Sequence, residues 1–260
     1  VSSTPIRSGA QRKRRARGSI SAEEILVGAY ELASQENLDA LSMPRLAQRL
    51  DVGVTSIYWY FRSKEDLLDT MTERAMAEFD RGFDIPEGLP WEEYVRTYFR
   101  QFREVFRTNG LLCDLIVMRS PNFTPEATRI AAERITTVLR VLVAAGFDPD
   151  TAMYAYSSLS VYTRGAVALE RSWMASNRPP LATTSALSEV SDSQVLAAMR
   201  APHALSMTSN DDFEFGLDNG IRGLRALLDD LLADEPCVRK SRSGAGTEQV
   251  ARTPATVSPR

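Results

Sequence analysis

Apolar residues recur every three or four positions along most of this chain, and residues that start or stop helices separate the runs. That period belongs to helices buried on one side. No sustained two-residue alternation occurs, and no Asn-Gly or Asp-Gly turn is flanked by one, so strands are not expected. Ser21 and Glu24 form a capping-box pair with Ile20 and Ile25 as a hydrophobic staple, opening a first helix whose buried stripe is Ile25, Ala29, Leu32 and Ala33. Ser42 caps a second helix, with Pro44 tolerated in its first turn and Leu46, Ala47 and Leu50 facing inward. After the break Asp51-Val52-Gly53 the pattern predicts a third, short helix over about Thr55 to Tyr60. A fourth starts at Ser63 and points Leu67, Leu68, Met71, Ala75 and Phe79 inward.

The stretch GFDIPEGLP, from Gly82 to Pro90, is a connector. Beyond it, Trp91, Val95, Tyr98, Phe99, Phe102, Val105 and Phe106 make an aromatic stripe that ends at Asn109-Gly110, and Leu111 to Met118 reads as one short helix. Thr124-Pro125 and Asp148-Pro149 each place a cap before a proline at the first helical position, opening helices to about Ala145 and Trp173. Pro179, Pro180 and Pro202 break the next stretch into a loop with one short helix from Ser191, capped with Gln194. The last helix starts near Asn210 and spaces Leu217, Ile221, Leu224, Leu228 and Leu231 by four and three. The expected fold is all-α. Its parts are a basic, disordered arm (1–18), a three-helix unit (19–66), a larger helical body (67–232) and a disordered tail (233–260).

Composition narrows the function. The chain has 260 residues, 43% hydrophobic and 25% charged, with no apolar run long enough to cross a membrane and no apolar core of a secretory signal near its start. A cytoplasmic protein with no membrane partner is expected. Cys113 and Cys237 are far apart and read as incidental thiols, and a single histidine, His203, excludes a zinc site of paired histidines. No metal-ligand cluster, nucleophile elbow or glycine-rich phosphate loop occurs, so neither a catalytic residue nor a cofactor is assigned, and a helical enzyme is the weakest reading. Charge is uneven: residues 1–18 hold six basic residues, among them Arg12, Lys13, Arg14, Arg15 and Arg17, and no acid, whereas the whole chain is at −3. A basic arm on an acidic body points to a polyanion partner at one end.

The second and third helices, joined by a three-residue turn, have the spacing of a helix-turn-helix, which presents its second helix to the major groove of DNA. With Ile57 and Phe61 as the inward pair, Thr55, Ser56, Tyr58, Trp59 and Tyr60 are at least partly on display, where hydroxyls meet phosphates or base edges and rings meet thymine methyls. Two other readings stay open here: the aromatics belong to the core, or they form a protein-interaction surface without DNA binding.

The run SMPRLAQRLDVGVTSIYWYFRSKEDLL, from Ser42 to Leu68, resembles the DNA-binding signature of tetracycline-repressor (TetR) family regulators, and DFEFGLDNGIRGLRALL, from Asp212 to Leu228, is similar to the end of that family's C-terminal domain. The resemblance implies a dimeric transcriptional regulator, usually a repressor, released from a palindromic double-stranded operator by a small effector. Ser42, Thr55, Ser56, Tyr58, Tyr60 and Lys64 match positions that touch DNA in the family, with Met43 and Arg45 as further base contacts. Asp51 stands where the family commonly has Gly, and Asp tolerates the left-handed backbone such a turn needs. Residues 67–232 would bind the effector and dimerise. The last helix and that from Asp148 to Trp173 would pair with their copies, through the seam Leu217, Ile221, Leu224, Leu228 and Leu231. The aromatic and sulfur side chains Phe102, Phe106, Met118, Tyr154 and Tyr162 are the candidate lining for a flat apolar or aromatic effector, since no histidine precedes residue 175 to help hold a magnesium-bound tetracycline.

Overall fold

A computed structural model describes residues 20–119, 123–175 and 209–242. The basic arm, the expected helix from Ser191, His203 and residues 243–260 lie outside the described residues. Within them the chain forms α1 (Ala22–Gln35), α2 (Met43–Arg49), α3 (Val54–Tyr58), α4 (Lys64–Arg81), α5 (Trp91–Thr108), α6 (Gly110–Cys113), α7 (Pro125–Ala145), α8 (Pro149–Ala175) and α9 (Asn210–Arg242). A π-helical turn, Asp114–Met118, comes directly after α6. No described residue is in a strand, and no described helix is long and apolar enough to cross a membrane.

The helix starts are those that the capping residues dictate. Ser21 and Glu24 exchange bonds, Glu24 N–H donating to Ser21 Oγ at 3.1 Å and Ser21 N–H to Glu24 Oε2 at 2.9 Å. Ser63 accepts from Asp66 N–H at 3.0 Å and Thr124 from Ala127 N–H at 3.2 Å, so donors that a helix start leaves unpaired are satisfied within the chain. Gly146 ends α7 in the left-handed region at φ 116°. Among the described residues, Asp51 is the non-glycine residue with positive φ, 54°, in the turn between α2 and α3, as its place in the signature required.

Two cores share one helix. In the first, Ile20, Ile25, Ala29, Leu46, Val52, Ile57, Phe61 and Leu67 are buried where α1, α2 and α3 meet the start of α4. In the second, Phe79 near the end of α4 stacks on Phe106, 4.9 Å between centroids, and meets Phe102 edge-on at 5.1 Å. The boundary expected at residue 66 therefore falls inside a continuous helix. Polar clamps fix its outer face: Arg119 donates to Asp69 and Thr72, Thr124 to Glu73, and Arg134 to Asp80.

Three expectations need correction. The third helix ends at Tyr58, before Tyr60. Leu111 to Met118 is not one helix but an α-helical turn that widens into a π turn, with Arg119 N–H donating to Asp114 C=O. The tail expected to be disordered from residue 233 instead continues α9 to Arg242.

The turn at Asp51 gives a test. A β-branched side chain there meets the full left-handed penalty, so Asp51→Val is expected to lower stability by about 1–2 kcal/mol, while Asp51→Gly stays within about 0.5 kcal/mol of the parent. Thermal unfolding of the two variants measures both.

Candidate nucleic-acid interface and the enclosed cavity

The short helix α3 is held from behind and bare in front. Ile57 and Phe61 are buried, as the spacing required, while Tyr58 is half exposed and Trp59 is 80% exposed. Thr55 is exposed and Ser56 half-buried on the same helix. Tyr60 turns back instead: half-buried, it donates its hydroxyl hydrogen to Ile20 C=O at 2.7 Å and meets the Trp59 ring edge-on. It ties α3 to the residue before α1 and leaves outward display to Tyr58 and Trp59.

The other predicted contacts separate into three kinds. Ser42 Oγ caps α2 by accepting from Arg45 N–H at 3.4 Å. Met43, expected at a base, is buried in the core, so the first residue of α2 faces inward rather than to the surface. Arg45 is exposed, but its guanidinium is bound to Glu36 and to Ala40 C=O. Arg62 and Lys64 have no ion pair with a described residue. Lys64 is the first residue of α4, where the helix dipole disfavours a cation, so its charge gains more from an external anion than from its own helix. Sequence reasoning missed Arg62, which stands two residues before Lys64 in the same signature. The predicted arm contacts Arg12, Lys13, Arg14, Arg15 and Arg17 lie outside the described residues.

In the body, α4, α5, α7, α8 and the π turn line a partly enclosed cavity of about 30 Å³. Its walls are Met76, Phe79, Tyr98, Phe102, Ile116, Ile130, Ala131, Ile135 and Tyr156, with Asp80, Arg134 and Arg164 as charged members. The Tyr98 hydroxyl is fully buried without a hydrogen-bond partner, which costs about 1–3 kcal/mol if nothing else satisfies it. Burial, and then the neighbouring Tyr156 phenol, push its pKa far up, so it remains a neutral donor. Arg134 lies over the Phe83 ring and is bound to Asp80.

Of the residues expected to line an effector site, Phe102 forms a wall of this cavity, and Phe106 packs behind it on Phe79. Met118 and Tyr154, 53% and 76% exposed, point to solvent. Tyr162 sits in a different place, a groove of about 440 Å³ between α8 and α9, where it stacks on Phe213 and its hydroxyl meets the carbonyls of Asp212 and Phe213 at 3.0 Å. A stripe at helical spacing marks burial but not which buried faces leave a space. Tyr156, Ser160 and Arg164 had a readable signal, a charge four residues along an inward stripe of α8.

Three of the five residues expected in a seam between subunits are also corrected. Leu217, Ile221 and Leu228 are buried within the chain, and Leu224 and Leu231 pack half-buried against the same core. A four-three spacing cannot tell a neighbour in the same chain from one in another. What faces outward is Tyr154, Val161 and Leu169 on α8 and Phe215 and Leu227 on α9. Gly216 and Gly220 serve the internal contact, against Tyr162 and Leu159, whereas a side chain added at Gly165 or Gly223 would meet open space. A buried pair, Arg103 Nε to Glu170 Oε1 at 2.7 Å, joins α5 to α8, and Arg103 reaches Asn210 at the start of α9.

Comparison with known proteins agrees with this arrangement. Residues 25–71 match the model of bacterial regulatory proteins of the tetR family, and residues 86–228 that of the tetracyclin repressor-like C-terminal domain. The chain is 39% identical over 213 residues to the HTH-type transcriptional repressor Rv1353c of Mycobacterium tuberculosis, covering 80% of this chain and 81% of the relative. It is 28% identical over 215 residues to the tetracycline repressor protein class G of Vibrio anguillarum, covering 81% and 96%. Among solved structures, the Streptomyces coelicolor TetR family protein ActR in complex with actinorhodin superposes with a TM-score of 0.61 at 27% identity, covering 80% of this chain and 98% of ActR.

The two neighbouring aromatics of the reading head should respond differently to truncation. Tyr60→Phe is expected to lower stability by about 1 kcal/mol, since Ile20 C=O loses its donor, whereas Trp59→Ala changes it by less than about 0.5 kcal/mol. Chemical denaturation of both variants checks this.

Proposed function

This chain belongs to the tetR family of bacterial regulatory proteins, a transcriptional repressor with a DNA-binding helix-turn-helix, and we propose that it works as a homodimer on a palindromic operator and lets go when an effector enters its body. The observation that carries the reading is the outward face of α3: Thr55, Tyr58 and an 80% exposed Trp59, with the cations Arg62 and Lys64 beside it. Tyr58, Arg62 and Lys64 suit phosphates and set register. Thr55, Ser56 and Trp59 suit base edges and thymine methyls. Ser42 Oγ accepts the α2 cap bond and keeps its hydroxyl hydrogen for an external acceptor, Arg45 is held by Glu36 and Ala40 C=O with further N–H groups to offer, and Tyr60 acts by positioning the helix.

The dimer uses the outward faces of α8 and α9. Tyr154, Val161 and Phe215 are 70% or more exposed, and Gly165 and Gly223 let a second pair of helices approach closely. Two-fold symmetry then repeats the reading helices at a separation of about 34 Å or a multiple of the helical turn, which makes the operator a palindrome. The effector site is the enclosed cavity, since it touches α4 at Met76, Phe79 and Asp80, and α4 also carries the reading head. An effector changes DNA affinity only by preferring one placement of α4 over another. The comparison with ActR, solved in complex with actinorhodin, supports a small-molecule effector. Such a regulator acts in the cytoplasm and makes no covalent bond.

Three measurements test the reading. Lys64→Ala is expected to weaken DNA binding evenly across sequences and reduce the slope of log affinity against log salt by about one, and deletion of residues 1–18 reduces it by several. Thr55→Ala is expected to alter preference at one base position of each half-site, read by selection from random DNA. Val161→Asp with Phe215→Asp should give monomers in analytical ultracentrifugation. Retention of full operator affinity by those monomers would overturn the dimer.

A further inference from the structure

The enclosed cavity has a chemistry that narrows what it takes. Six arginines among the described residues are not exposed, and five hold a carboxylate: Arg96 with Asp218, Arg103 with Glu170, Arg119 with Asp69, Arg134 with Asp80 and Arg171 with Asp114. Arg164 is the sixth. It lines the cavity, its guanidinium lies 5.5 Å from the centre of the Phe102 ring, and it makes a weak polar contact to the Ser160 hydroxyl at 3.3 Å. A half-buried guanidinium without an anion is unusual, because loss of hydration is normally offset by a carboxylate. On the same cavity the Tyr98 hydroxyl is fully buried, with the Tyr156 phenol beside it and no carbonyl or carboxylate to accept its hydrogen. Two donors thus lack an anionic or carbonyl acceptor inside a pocket otherwise walled by flat rings.

We propose that the effector is a planar aromatic anion, with its rings between Phe79, Phe102 and Tyr156 and its acidic oxygens held by Arg164 and the Tyr98 hydroxyl. The assignment rests on the reading of this cavity as the effector site. Asp80, the carboxylate on the cavity, is already bound by Arg134, so the pocket carries an excess of positive charge. A cationic ligand meets repulsion there, and a neutral one leaves Arg164 desolvated and unpaired. An anion satisfies both open donors at once, and charge-assisted bonds are the stronger kind. The present volume, about 30 Å³, holds little more than one water, so a ring enters only as its walls part. Ile116, on the π turn, and Phe79, on α4, are two of those walls, which makes ligand entry and displacement of α4 the same event.

Three naphthalene probes of one size test the proposal by calorimetric titration of the full chain: 2-naphthoate, the neutral 2-naphthalenemethanol and cationic 2-naphthylmethylammonium. Naphthoate is expected to bind at least about tenfold more tightly than either of the others. Arg164→Met should remove about tenfold or more of the naphthoate affinity and leave that for the alcohol unchanged, while Tyr98→Phe should lower the anion's affinity severalfold. Circular dichroism confirms that each variant is folded, and Arg164→Gln serves should the Met variant fail. Equal or tighter binding of the alcohol or the amine, no binding of any probe, or naphthoate affinity indifferent to Arg164 overturns the proposal. Arg164-dependent naphthoate binding that leaves affinity for operator DNA unaltered upholds the anion site and sinks the effector reading instead.

Discussion

Helix α4 has to be buried twice, and the rest of the molecule is arranged around that requirement. Its first turns complete the small core under the reading helix, where Leu67 and Met71 are buried and Tyr30 donates its hydroxyl hydrogen to Met71 C=O. Its last turns supply Phe79 to the aromatic core of the body. A helix of 18 residues is about 27 Å long, too short to bend appreciably, so a shift at Phe79 is carried to Leu67 almost undiminished. The clamps from Arg119, Thr124 and Arg134 onto Asp69, Glu73 and Asp80 put the helix under control of the segments beside the cavity. In the function proposed above, a rigid bar with a reading head at one end and a ligand wall at the other needs no chain of intermediates between the two sites.

The charges fit the same division. On the reading head Arg45, Arg49 and Arg74 are engaged by Glu36, Glu31 and Glu23, which leaves Arg62 and Lys64 as the cations without an ion pair among its described residues. These exposed pairs add little stability, but they cancel most of the field that would hold the head on any DNA. In the function proposed above, strength of nonspecific binding then falls to the six basic residues before residue 19, and choice of sequence to the hydroxyls and rings of α3. Separating the two jobs lets affinity be set in one segment without altering which sequence is read.

The sequence was most informative where local rules decide the outcome. Ser21, Ser42, Ser63 and Thr124 each start the helix their spacing predicted, because a cap acts within four residues. Ile57 and Phe61 turn inward on α3 for the same short-range reason, and Asp51 adopts the left-handed turn. The errors arose where a buried stripe had to be given a partner. Leu217, Ile221 and Leu228 read as a subunit seam and pack inside the chain, and Tyr154 read as pocket lining and faces outward. Periodicity supplies the direction of a face within one helix, but which helix meets it depends on long-range packing. Met43 shows the same limit on α2, since it reads as a base contact and is buried in the core.

Cavity size explains why such a protein can respond to a ligand at all. A roomy pocket formed in advance would bind effector without moving its walls, and a ligand that fits both states equally shifts neither. Here the space is near the size of a water and one wall belongs to the helix that carries the reading head. On the proposed reading, the free energy of ligand contacts therefore has to exceed the cost of parting Phe79 and Ile116, and only the parted state collects it.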